Sequence, residues 1–162
     1  MTGALGRSCS QPHPMCRCAT ICAVQRRFMV VVNRVVNRIV RLLGLQRFRG
    51  ARLLYLTTVG RKSGKSRTVP LAFVRDGEDY VVAASNGGSD WQPAWWLNLQ
   101  SEPQAQIQVD DAKLAITASA VAEPDRAQLW QRLSDQLDTY DSYQQKVSRQ
   151  IDLVRLRPAG HA

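Results

Sequence analysis

From Arg52 onward the chain breaks into short apolar runs separated by turn residues, the pattern of strands. Leu53-Leu54-Tyr55-Leu56-Thr57-Thr58 predicts one strand. Thr68-Val69-Pro70-Leu71-Ala72-Phe73-Val74 predicts a second, with Pro70 near its beginning, where a missing amide is tolerated. Asp76-Gly77 supplies a tight turn into Tyr80-Val81-Val82-Ala83-Ala84. A short helix is expected from Gln92 to Gln100, capped by Ser89 or Asp90, with Pro93 in its first turn. Ala105, Ile107 and Val109 alternate with Gln104, Gln106 and Gln108; Asp110-Asp111 then turns the chain back into Leu114, Ile116, Ala118 and Ala120, also at period two. Pro124 and Asp125 open a helix with Trp130, Leu133 and Leu137 on one face. A further helical piece over Tyr140–Arg149 and a strand over Ile151–Leu156 complete the body. These are five or six mostly antiparallel strands with helices inserted, an α+β chain built on a small β-barrel.

Ahead of the body, Phe28, Val31/Val32, Val35/Val36, Ile39 and Leu42/Leu43 recur at helical spacing before Gly44. This is a basic amphipathic helix, with two uses open to it: packing on the domain, or lying on an anionic lipid surface. Arg34, Arg38 and Arg41 exclude a transmembrane span, and Arg26-Arg27 with the following short apolar run lacks the cleavage site of an export signal. The expected organisation is a disordered tail over 1–25, helix and linker over 26–50, and the barrel over 51–158.

A length of 162 residues, 44% hydrophobic, fits one globular domain that folds without disulfides or metal. Charge changes the picture more. The net +9 is the sum of +15 over residues 1–75, which hold no acid, and −6 over the remainder. Such asymmetry excludes an evenly basic shell and asks for a local anionic partner. Cys9, Cys16, Cys18 and Cys22 all lie in the first 22 residues, with a spacing that lacks paired zinc knuckles, so neither a disulfide framework nor a metal site is expected. No nucleic-acid recognition motif accompanies the basic residues.

Gly60-Arg61-Lys62-Ser63-Gly64-Lys65-Ser66-Arg67 sets four cations, two glycines and two hydroxyls between two strands. Glycines let backbone approach an anion, amides and hydroxyls donate to phosphate oxygens, and cations neutralise it. A P-loop is excluded, because Gly60 stands one position too close to Gly64 and a strand pattern follows instead of a helix. The alternative is a solvated hairpin tip. The second informative stretch is Ala83-Ala84-Ser85-Asn86-Gly87-Gly88, leading through Trp91 into Pro93-Ala94-Trp95-Trp96-Leu97-Asn98. Small residues and a glycine pair let a flat ring lie on backbone, and the tryptophans either wall such a ring or belong to the core.

Together, Leu56-Thr57-Thr58-Val59-Gly60-Arg61-Lys62-Ser63-Gly64-Lys65-Ser66-Arg67, Pro70-Leu71, Ala84-Ser85 with Gly87-Gly88, Pro93-Ala94-Trp95 with Asn98-Leu99, and Tyr140, Tyr143-Gln144, Arg149 and Ile151 resemble the signature of deazaflavin (F420)-dependent nitroreductases. The resemblance covers about residues 30–158. It implies a flavin-reductase-like split β-barrel, coenzyme F420 with its polyanionic phospholactyl-glutamate tail, and hydride transfer to a quinone, enone or nitro acceptor. On that reading Arg61, Lys62, Ser63, Lys65 and Arg67 hold the tail, and Gly64, Ser66 and Pro70 also bind the cofactor. Ala83, Ala84, Ser85 and Asn86 line the ring, Ala94, Trp95, Trp96, Leu97 and Asn98 cover it, and Tyr140, Tyr143 and Ser85 serve the substrate side. Asn86 stands where relatives commonly carry Lys, Trp96 and Leu97 where they carry Tyr and His, and Gln92 where they carry His, which implies a more apolar active face. A non-catalytic F420 carrier and an FMN-binding reductase on a similar barrel are the alternatives. The resemblance further implies a cytoplasmic protein, and fold analogy adds a homodimer.

Overall fold

The computed structural model describes residues 46–48 and 50–160; the expected tail over 1–25 and helix over 28–43 lie outside them. The described chain runs β1 (Arg47–Phe48), β2 (Ala51–Val59), β3 (Ser66–Asp76), β4 (Asp79–Ala83), α1 (Ala94–Ser101), β5 (Gln104–Val109), β6 (Ala112–Ala120), α2 (Asp125–Gln136), α3 (Thr139–Lys146) and β7 (Leu153–Pro158). Every strand pairing is antiparallel, in the order β1-β2-β3-β4-β7-β6-β5, and β2 also pairs with β5 to close the barrel. Where a linker was expected, Arg47–Phe48 forms a two-residue strand on Ala51–Arg52, turned by Gly50 at φ +89°.

Strand periodicity explains how one sheet carries two cores. β4 is buried along all five residues. Tyr80 and Val82 face the barrel interior with Leu54, Leu56, Ile107, Ile116, Val154 and Leu156. Val81 and Ala83 face outward, under α2 and α3, with Leu129, Leu133, Tyr140, Val147 and Ile151. A strand covered on both faces reads as a continuous apolar run, as Tyr80–Ala84 does. β5 keeps its alternation, with Ile107 and Val109 buried and Gln104 and Gln106 exposed.

Four expectations shift. α1 takes Pro93 as its cap without a side-chain bond, because Asp90 is occupied in accepting the Ser148 amide at 3.0 Å. In β6, Ile116 and Ala118 are buried but Ala120, at the strand's end, is exposed. α2 buries Leu129 and Leu133, while Trp130 stays at the edge of that core and Leu137 lies just past the helix. α3 stops at Lys146, leaving Arg149 in a bend outside the helix, and β7 begins at Leu153 and includes Pro158.

The register places the informative stretches. β3 leaves the basic loop at Ser66 and reaches the Asp76–Asp79 turn at the opposite end of the barrel. Val82 pairs with Phe73, so Ala83 lies level with Ala72. Five residues of β3 separate that level from Arg67, ~17 Å at the usual strand rise.

Candidate functional site

The loop between β2 and β3 closes on itself. Gly60 N donates to Lys65 O (3.0 Å), and Ser63 N and Gly64 N donate to Gly60 O (3.0 and 2.8 Å). Lys65 N donates to Ser63 Oγ (3.4 Å). A Cβ on Gly60 would stand 2.8 Å from Ser63 Oγ, and Gly64 has φ +63°, so both glycines are dictated by the turn. This corrects the expectation that the loop amides cradle an anion: those of Ser63, Gly64 and Lys65 are consumed inside the turn. What the loop presents is side chains. Arg61 to Arg67 are exposed, and among the described residues Lys62, Lys65 and Arg67 form no ion pair.

Asn98 anchors this loop. It is 6% exposed. Its Nδ2 donates to Thr58 Oγ1 at 3.1 Å, while its Oδ1 accepts from Arg61 N at 3.2 Å and from the Arg61 guanidinium at 3.4 Å. A buried amide with both ends satisfied fixes geometry, because leaving either end unpaired costs about 1–3 kcal/mol. Asn98 therefore orients the loop through Arg61.

At the end of β4, Ala83 and Ala84 are buried and Ala84 N donates to Asp152 O at 2.8 Å. Ser85 is buried as well. Asn86 and Gly87, at φ +50° and +65°, are the two central residues of a turn closed by Gly88 N on Ser85 O at 3.0 Å. Positive φ at both central positions is the mirror-image type I′ turn, for which Asn-Gly is the favoured pair. Asn86 thus has a local reason beyond its lost charge, and its Nδ2 donates to Trp91 O at 3.2 Å. Gly88, at φ +74°, lies so close to Tyr143 that a Cβ would stand 2.9 Å from its ring.

Trp95 and Trp96 are core residues rather than open walls, 8% and 5% exposed. The Trp96 indole Nε1 and Gln92 Nε2 both donate to Asp152 Oδ2, each at 2.9 Å. Asp152, 56 and 60 residues away in sequence from these partners, was not singled out by sequence reasoning; nor was Arg149 as a holder of backbone. Ala94 is exposed and Leu97 half-buried on α1, and Pro70 stands opposite Tyr55 on the neighbouring strand.

The two tyrosines of α3 separate. Tyr143 is half-buried, with Lys146 Nζ 5.9 Å from its ring centre. Tyr140 is 7% exposed and meets Trp130 and Tyr143 edge-on, at 6.3 Å each. Burial, and secondarily Tyr143, pushes the Tyr140 phenol from 10.0 up to about 12. Such a phenol stays protonated near neutrality and is a poor relay. Because the folded state holds the proton more tightly, this group's contribution is fully present below pH 10 and is lost as pH rises from 10 towards 12. A Tyr140→Phe variant will lose about 2 kcal/mol less than the parent across that interval, read from urea unfolding at each pH. Identical pH slopes would refute the assignment.

Among the described residues no cluster of His, Cys, Asp and Glu could hold a metal ion, and no helix is long and apolar enough to cross a membrane. The donor set instead fits a long anionic cofactor: unpaired cations at one end of β3, and small, tightly turned backbone about 17 Å away.

Comparison with known proteins agrees with this chemistry. The family model for F420H(2)-dependent quinone reductase matches residues 26–158. An F420H(2)-dependent quinone reductase of Mycobacterium tuberculosis is 38% identical over 106 residues, 64% of this chain and 71% of the relative. A solved F420-H2 dependent reductase, FDR-A, superposes with a TM-score of 0.60 at 32% identity, covering 65% of this chain and 93% of its own. A chain described as a domain-swapped dimer gives 0.61 at 26% identity, covering 85% and 99%. The closed antiparallel sheet with its inserted helices is the split β-barrel of flavin-reductase-like proteins. The chain therefore belongs to the F420H(2)-dependent quinone reductase family, and is an oxidoreductase that uses coenzyme F420.

Proposed function

We propose that this chain reduces a small apolar quinone, with the coenzyme laid along β3 from the turn at Ser85–Gly88 to the loop at Gly60–Arg67. One observation carries the reading: four loop cations without a carboxylate partner among the described residues stand about 17 Å of strand away from the backbone suited to a flat ring. Lys62, Lys65 and Arg67 would meet the phosphate and glutamate carboxylates, with Ser63 and Ser66 donating beside them and Arg61 oriented by Asn98. The backbone of Ala83, Ala84, Ser85 and Asn86 would lie against the ring. Hydride donation is the chemistry the reduced coenzyme supplies when bound. The protein's own part is to bind, orient and exclude water. Tyr143, seated on Gly88, borders the acceptor side, and the Ser85 hydroxyl is the nearby donor. Tyr140 supports them from the core. The Gln92–Asp152–Trp96 bonds take up the polar atoms of that flank and leave it apolar, which favours a quinone over a charged acceptor.

The test mixes the protein with reduced F420 and a panel of quinones, enones and nitro compounds while following oxidation of the coenzyme. Turnover with quinones above the rest is expected. Tight binding without turnover would select the carrier alternative, and FMN bound in preference to F420, read by tryptophan fluorescence, would select the ordinary flavin reductases. Pairing of two copies is part of the reading, supported by the likeness to the domain-swapped dimer. Residues 28–43, with apolar positions at amphipathic spacing, are the candidate for contact with anionic lipid.

A further inference from the structure

We propose that Arg149 is the positioning residue for the ring, a guanidinium strap that sets the aim of Ser85 and Asn86 without touching the coenzyme. This rests on the reading that residues 83–86 face the ring. Arg149 Nη2 donates to Ala84 O (2.9 Å), Ser85 O (3.4 Å) and Ser89 O (3.2 Å), and Nε donates to Ser89 O (3.3 Å). One side chain therefore grips the backbone on both sides of the turn. That grip matters because Asn86, Gly87 and Gly88 are three consecutive residues with positive φ, two of them glycines that restrict their own backbone least, so the aim of the turn depends on contacts from outside it. The turn itself holds the Gly88–Ser85 backbone bond and the Asn86 amide on Trp91 O.

The strap is itself held. Gln144 Nε2 donates to Arg149 O and Gln144 Oε1 accepts from Ile151 N, both at 2.9 Å, and Ser148 N donates to Asp90 Oδ1 at 3.0 Å. The end of α3 at Lys146 is what releases Arg149 to reach across. Among the described residues no carboxylate pairs with it, and its buried Nη1 meets no acceptor. Its positive charge is thus directed at carbonyl dipoles of the ring-facing backbone.

The experiment compares Arg149→Met and Arg149→Lys with the parent at a temperature where all three are folded. It measures binding of F420 and of its tail-less analogue by tryptophan fluorescence, and amide exchange over residues 85–89. In Arg149→Met both ligands should bind about tenfold more weakly, by the same factor, with faster exchange confined to the turn; this corresponds to ~1.4 kcal/mol of lost preorganisation. Arg149→Lys, which keeps the charge and loses the fork, should recover part of the affinity. Parental affinity in Arg149→Met, or a loss for F420 alone, overturns the proposal. If Arg149→Met fails to fold, parental affinity in Arg149→Lys overturns it and an intermediate loss supports it. A parent protein that binds neither ligand overturns the underlying reading of the ring site instead.

Discussion

Reversing charge at both Arg61 and Lys62 to Glu will weaken F420 by about 100-fold or more while changing the tail-less analogue by less than about threefold. Charge-assisted bonds to phosphate and carboxylate contribute roughly 1.5–3 kcal/mol each, so two reversals exceed the 2.7 kcal/mol that a hundredfold requires. Both residues are exposed, so the variant should fold as the parent does. Arg61 also bonds Asn98, but through its backbone amide as well as its guanidinium, and the amide bond survives the substitution. Affinity of the parent for F420 should fall more steeply with added salt than that of the variant, which keeps only Lys65 and Arg67 of the four loop cations, because exposed charge pairs are strongly screened. Equal loss for both ligands would remove the tail from this loop. Opposite patterns at the two ends of the site, selective loss from the loop and common loss from Arg149, would give the coenzyme its direction along β3.

Replacing Arg155 by Met will destabilise the fold by about 3 kcal/mol and lower Tm by ~10 °C without altering affinity for F420. Arg155 sits at the barrel end away from the loop. Its guanidinium lies 2.9 Å from Asp76, 3.4 Å from Asp79 and 3.2 Å from Asp125. Asp79 is the sensitive partner, with a side chain 10% exposed that among the described residues keeps Arg157 once Arg155 is gone. Removing Arg155, whose side chain is 18% exposed, leaves Asp76, Asp79 and Asp125 without the cation they share, whereas the Arg157 side chain is 62% exposed and its replacement by Met should cost under about 1 kcal/mol. Calorimetry on the two variants settles the matter: equal shifts would mean that burial of Asp79 carries no special cost.

The residues differ in how far their roles could be read without coordinates. The strands were legible because each buries one or both faces and the side-chain period of two is written directly into Ile107, Val109, Ile116 and Ala118. Their ends were less so: Ala120 continues the alternation yet lies beyond anything to pack on. The loop at Gly60–Arg67 was legible as a basic turn, since glycine, charge and hydroxyl are local properties. Its hydrogen bonding was not, and the amides expected to face an anion turn inward instead. The cap of α1 failed for a similar reason, because Asp90 is taken by Ser148, 58 residues further on.

The barrel, the placement of positive charge and the family to which the chain belongs were therefore legible in the order of residues alone. These rest on short-range periodicity and on motifs whose residues are near neighbours in the chain. Which polar groups support the site follows from the folding of distant segments onto one another. Asn98 reaches Arg61 across 37 residues, Trp96 reaches Asp152 across 56, and Arg149 reaches Ala84 across 65. The same folding buries Tyr140, equivalent to Tyr143 as a phenol in the sequence, in the core with its proton held up to about 12. A hydrogen bond and a desolvation cost depend on which groups are brought within a few ångströms, and that is fixed only when the sheet closes.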